Sequence, residues 1–157
     1  MKYYKISNGT GYGKQRITSF DAALLDAGVG NYNLVRLSSI LPLDSHPQEE
    51  IHLPYGNLLP IAYAVESTNV PGRQISAAVA IGFPELDESE ERCAVIMEYE
   101  GECPEETAVS IVTAMVCEGF KERGWRLASI SVASDTVFGG DNGEWATAFA
   151  CVAEWEE

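Results

Sequence analysis

One long helical pattern set among five strand-like runs is the feature that most limits how this chain folds. Residues 104–123 carry Ala108, Ile111, Val112, Met115, Val116 and Phe120 at helical spacing, with Pro104 near the start and Gly124 just past the end. Around that helix stand LLPIAYAVE (58–66), QISAAVAIGF (74–83), CAVIMEYEG (93–101), LASISVASDTV (127–137) and WATAFACVAEW (145–155). Nearly continuous runs of small and apolar residues, such as the first two, read as strands buried on both faces. A second, shorter helix is predicted over FDAALLDA, with Thr18-Ser19 as its cap, Asp21 in its first turn and Gly28 as its stop. NLVRLSSI (33–40) reads as a further strand halted by Pro42, and residues 43–57 read as a loop.

This order does not give the alternation that a parallel βαβ array needs. The expectation is an α/β chain of the α+β type: an αββα-like sandwich with a mostly antiparallel sheet and two main helices. Within it, 58–66 and 74–83 are expected to pair as a hairpin around STNVPGR, and the last two runs to close a hairpin around FGGDNGE. The first fifteen residues read as an arm rather than core. A length of 157 residues suits one domain, 1–157.

Ten Lys+Arg against 24 Asp+Glu leave a net charge of −14, which argues against a nucleic-acid surface. The same field draws cations, although acidity alone also serves solubility. No apolar run reaches the length of a membrane span and the N-terminus lacks a signal-peptide core, so the expected location is cytoplasmic. Cys93, Cys103, Cys117 and Cys151 show no metal-ligand spacing and are expected to be buried free thiols, with no metal.

Ser38-Ser39 is odd inside an apolar run, because alternation puts one hydroxyl on each face of a strand. Either the hydroxyls satisfy neighbouring backbone, or one of them reacts. A serine hydrolase fits poorly: there is no G-x-S-x-G turn, and the histidines, His46 and His52, lie in the Pro-rich loop.

The stretch FDAALLDAGVGNYNLVRLSSILP (20–42), with IMEYEG at 96–101 and FKERGW at 120–125, resembles a pyruvoyl-dependent arginine decarboxylase. The likeness extends over ISAAVAI at 75–81 and L-P-x-A-Y at 59–63. It implies a chain that cuts itself between Ser38 and Ser39, giving a β chain 1–38 and an α chain 39–157 that begins with a pyruvoyl group made from Ser39. In that scheme the Ser39 hydroxyl attacks the Ser38 carbonyl, and elimination and loss of ammonia follow. Asn33 is similar to the family residue that assists cleavage, and Glu98 to its proton donor. Asp21 corresponds to the residue that pairs with the arginine guanidinium, while Gly30, Tyr32 and Ile40 line the pocket. Tyr32 is larger than the aliphatic residue often found there, which leaves histidine or lysine as alternative substrates. The resemblance further implies a homotrimer, or a multiple of trimers, with sites at subunit boundaries. A reading from a different class is a non-catalytic acidic oligomer that binds small basic molecules.

Overall fold

Period-two alternation along the apolar runs decides the layering seen in the computed structural model, which describes residues 2–157. The elements in order are β1 (Lys2–Gly13), α1 (Arg16–Asp26), β2 (Asn33–Arg36), β3 (Ile40–Leu41), β4 (His46–Pro47), β5 (Leu58–Thr68), β6 (Gln74–Pro84), β7 (Ala94–Gly101), α2 (Glu105–Arg123), β8 (Leu127–Phe138) and β9 (Trp145–Glu156). One sheet has the order β2-β5-β9-β1-β4 and the other β3-β7-β6-β8. The second is antiparallel throughout; the first is antiparallel at its centre, with β2 and β4 joined parallel at its edges.

Three buried layers follow from the alternation. On β6, Ile75, Ala77, Val79 and Ile81 face the other sheet, where Ala62, Ala64, Ala148, Ala150 and Val152 meet them. Ala78 and Ala80 point the other way, onto Val112, Val116 and Phe120 of α2. Phe149 and Trp155 of β9 turn outward onto Ala23 and Leu24 of α1 and Ala27 at its C-terminal cap. The α/β/β/α stack is thus the expected sandwich, with each helix on the outer face of one sheet. α2 starts after Pro104 and ends at Gly124, whose φ of 65° is the left-handed cap that glycine adopts readily.

Five local expectations are corrected. β5 and β6 do not pair; the turn between them carries the chain from one sheet to the other, and β8 and β9 are divided in the same way. A strand that is apolar on both faces suits the interior of either sheet, so its sequence does not choose its neighbour. The supposed N-terminal arm is β1, paired residue for residue with β9 from Lys2↔Glu156 to Gly13↔Trp145. Its glycines let α1 lie directly on the strand: a Cβ at Gly11 would stand 2.5 Å from both Ala23 N and Ser19 O. Helix α1 begins one turn early, capped at Gln15, whose backbone N–H donates to Thr18 Oγ1 at 3.2 Å. Asp21 therefore sits beyond the first turn, which holds no acid, and the helix dipole does not account for it. Finally, 33–40 is not one strand but two, β2 and β3, in different sheets. Of the cysteines, all free, Cys151 is buried and Cys117 is exposed, against the expectation of four buried thiols.

Candidate active site

The break between β2 and β3 is where the serines lie. β2 ends at Arg36 on the edge of the first sheet, and β3 begins at Ile40 on the edge of the second. Leu37, Ser38 and Ser39 cross the gap. The span is anchored at both ends: Leu37 N donates to Ile61 O at 2.9 Å, and Ile96 N donates to Ser39 O at 2.7 Å. Ser38 is exposed and Ser39 half-buried. The strand alternation expected of the two hydroxyls does not apply, because the pair is outside regular structure. Neither serine has a positive φ, so no left-handed strain is held there.

Glu98 arrives from β7 on the same side as Ile96, which lies in the inter-sheet core, while Met97 and Tyr99 pack toward α2. Its Oε1 accepts a hydrogen bond from Arg36 Nη2 at 3.2 Å, and its Oε2 is buried with no hydrogen-bond partner among the described residues. Burial pushes the Glu98 carboxyl above its ordinary pKa; the hydrogen bond and charge of Arg36 pull the other way without cancelling it. Glu100, next on that face, is also raised by burial, with Arg36 opposing and Glu66 and Glu98 adding.

Arg36 was not singled out in the sequence. Its Nη2 also donates to Tyr63 O at 3.0 Å, and its guanidinium carbon lies 4.4 Å from the centroid of the Tyr63 ring. The available signal was its place as the one cation inside NLVRLSSI. The partner, 62 residues away along the chain, carried no local signal.

Three of the remaining predicted residues, Gly30, Tyr32 and Asn33, gather at the other end of β2. Asn33 opens that strand, about 10 Å along it from Arg36. Its Nδ2 donates to Gly56 O at 2.6 Å, and its backbone N to Asn57 O at 2.9 Å. Tyr32 donates its hydroxyl to Ile51 O at 3.2 Å and meets Tyr55 edge-on at 5.8 Å. Gly30 and Tyr32 line a cleft of about 470 Å³ with Lys5, Leu25 and Tyr55. Asp21 is exposed on α1, one helical turn from Leu25 and on its face. Ile40, 42% exposed, stays with the serines. The chain thus brings Ser38, Ser39, Ile40 and Glu98 to the sheet crossover, and Gly30, Tyr32 and Asn33 to the α1–β2 corner; Asp21 stands apart from both on α1, next to Phe20, whose ring meets that of Tyr63.

Comparison with known proteins bears on what this arrangement serves. The family model described as pyruvoyl-dependent arginine decarboxylase matches residues 3–156. A pyruvoyl-dependent arginine decarboxylase of Methanocaldococcus jannaschii is 42% identical over 134 residues, covering 82% of this chain and 79% of the relative. One of Thermococcus kodakarensis is 42% identical over 133 residues, covering 84% and 82%, and one of Methanococcus vannielii is 36% identical over 152 residues, covering 94% and 86%. Among solved structures, a pyruvoyl-dependent histidine decarboxylase superposes with a TM-score of 0.53 at 16% identity, covering 69% of this chain. The chain spans about half of that longer protein, 54%, and the likeness is one of fold. With the family model matched over almost its whole length and relatives this similar, the chain belongs to the pyruvoyl-dependent arginine decarboxylase family.

Proposed function

We propose that this chain cuts itself between Ser38 and Ser39 and then decarboxylates L-arginine to agmatine and carbon dioxide. The observation that carries the reading is the crossover itself: two serines between the sheets, the second pinned through its carbonyl to the strand that bears Glu98. The residues there fit a pyruvoyl group. Ser39 supplies the hydroxyl it would be made from, and the partnerless buried Oε2 of Glu98 suits a group that must hold and release a proton. When present, a pyruvoyl group supplies a carbonyl that captures the substrate amine and accepts the electron pair left as carbon dioxide departs.

The chain's own residues do the rest. For cutting, the Ser39 hydroxyl attacks the Ser38 carbonyl carbon, and the Ser38–Ser39 peptide bond gives way to an ester. Asn33 is assigned to the oxyanion formed in that step; because it stands at the other end of β2 from its own serines, held to Gly56 O, the amide would be that of a neighbouring copy. In turnover, Glu98 delivers a proton from Oε2 to the substrate Cα, and solvent restores it. Its raised pKa keeps the carboxyl protonated to higher pH than an exposed glutamate. Asp21 offers a carboxylate to the guanidinium, whose planar fork suits two parallel hydrogen bonds. Gly30, Tyr32 and Ile40 border the substrate.

Gly30, Tyr32 and Asn33 are at the opposite end of β2 from the serines. This supports a homotrimer, or a multiple of trimers, in which sites form at subunit boundaries from the crossover of one copy and the α1–β2 corner of another. Four free cysteines suit a reducing compartment, and the proposal places the enzyme in the cytoplasm. Tyr32, with Tyr55 against it, favours testing histidine and lysine as alternative substrates.

Denaturing mass spectrometry of purified protein tests the reading. Two fragments divided at residues 38 and 39 are expected, the larger reactive toward hydrazine, together with agmatine formation from arginine. Ser39→Ala is expected to remain one inactive 17.1 kDa chain. A wild-type chain that stays whole and releases no carbon dioxide would leave the non-catalytic binding oligomer as the better account.

A further inference from the structure

The two oxygens of Glu98 have different surroundings. Oε1 is engaged by Arg36, and Oε2 is buried without a hydrogen-bond partner among the described residues. Arg36 is itself held from the far side, by the carbonyl and ring of Tyr63. Tyr63 is fixed in turn by Phe20, 6.4 Å between ring centres, and by Phe149 at 5.4 Å. A guanidinium never takes the carboxyl proton, so the oxygen it contacts keeps the negative charge and a proton is directed to the other.

We propose that Arg36 is a positioning residue that orients Glu98, holding Oε1 so that Oε2 is the proton-bearing atom on the strand that receives Ser39. This rests on Glu98 being the acid of the proposed decarboxylation. Arg36 reaches Glu98 from β2; on β7 the neighbouring acid is Glu100, which also feels Glu66 of β5. Across the ladder on β6 the facing residue is Val79, which carries no charge. A single guanidinium therefore stands among three carboxyl groups. Removing it leaves burial and the other acids acting on Glu98, which then keeps its proton to higher pH.

The test needs a reading that does not depend on turnover. In the uncut Ser39→Ala chain labelled with ¹³C at glutamate side-chain carboxyls, NMR follows the Glu98 titration, its signal identified by its loss in Glu98→Gln. Arg36→Met is expected to move the midpoint upward, and Arg36→Lys, which keeps the charge without the fork, to leave it between the two. In the mature enzyme, Arg36→Met is expected to lower kcat at neutral pH about 10- to 100-fold, to leave KM little changed, and to shift the alkaline limb of the kcat profile upward.

An unmoved Glu98 midpoint in both variants, with arginine still turned over by wild type, overturns the positioning role alone. A midpoint that moves in the Arg36 variants, beside a wild type that turns over no arginine, leaves the Arg36–Glu98 coupling standing and overturns the proposed function together with the positioning role that rests on it. Should Arg36→Met not fold, an Arg36→Lys chain with a midpoint and alkaline limb identical to wild type overturns the proposal by itself.

Discussion

Asp21 shows what a residue's neighbours add to its sequence position. With the helix beginning at Arg16, the favourable dipole of a first turn is not available to explain an acid here, and the side chain is exposed. Asp21 is one helical turn from Leu25, which borders the cleft of Gly30 and Tyr32, and the proposed function gives its carboxylate to the substrate cation. Asp21→Ala is expected to reduce kcat/KM for arginine about 10- to 100-fold, as loss of one charge-assisted pair would, and to narrow the preference over lysine. Steady-state kinetics with arginine, lysine and histidine check this. Unchanged arginine kinetics would remove Asp21 from the substrate. The roles proposed for the serines and Glu98 came from the sequence only through a motif, since nothing in a serine pair or a strand glutamate is distinctive by itself. Arg36 was not legible at all in its role, because its meaning lies in contacts with Tyr63 and Glu98 that only the folded chain makes.

At the scale of elements, helix α2 was readable almost to its last residue. Its apolar stripe, its opening proline and its glycine stop all agree. The strands were readable as strands, yet their partners were not. Ala148, Ala150 and Val152 on one face of β9 and Phe149 and Cys151 on the other are all buried, so no polar face marks the sheet's outside. β1 misled for the opposite reason: Gly9, Gly11 and Gly13 look like flexibility but serve close approach to α1. Gly11→Ala should therefore be costly, since the new methyl meets backbone atoms of α1 rather than a movable side chain. We expect a loss of about 2–3 kcal/mol in urea unfolding, read as a lower midpoint at unchanged slope. A midpoint equal to wild type would mean that the helix shifts freely on the strand.

For the molecule as a whole, burial acts on the acidic side chains in one direction. Glu98, Glu100 and Glu154 are each raised by desolvation, Glu154 from 4.5 to about 7 although the charge of Lys2 opposes it. A carboxyl with a higher pKa folded than unfolded holds an extra proton in the native state between the two values. Stability then falls as pH rises through that interval, here from about 4.5 to about 7 for Glu154. Allowing for solvent screening at a half-open position, the Glu154 share is on the order of 1–2 kcal/mol. Thermal unfolding should show a higher Tm at pH 5.5 than at pH 8, and Glu154→Gln should raise the pH 8 value toward the other. A flat Tm across this range would mean that water reaches Glu154 more freely than its burial suggests. The sandwich was foreseeable at this scale because composition and periodicity act over the entire chain.

If the chain is severed between Ser38 and Ser39 as proposed, the ladder joining β1 to β9 acquires a second meaning. The fragment of residues 1–38 supplies an inner strand, a covering helix and an edge strand to one sheet, so it is captive without any covalent tie. Diluting the mature protein would not shed it. Melting would: reassembly would then need two separate molecules to find each other, and maturation would become a step that denaturation does not let the protein retrace.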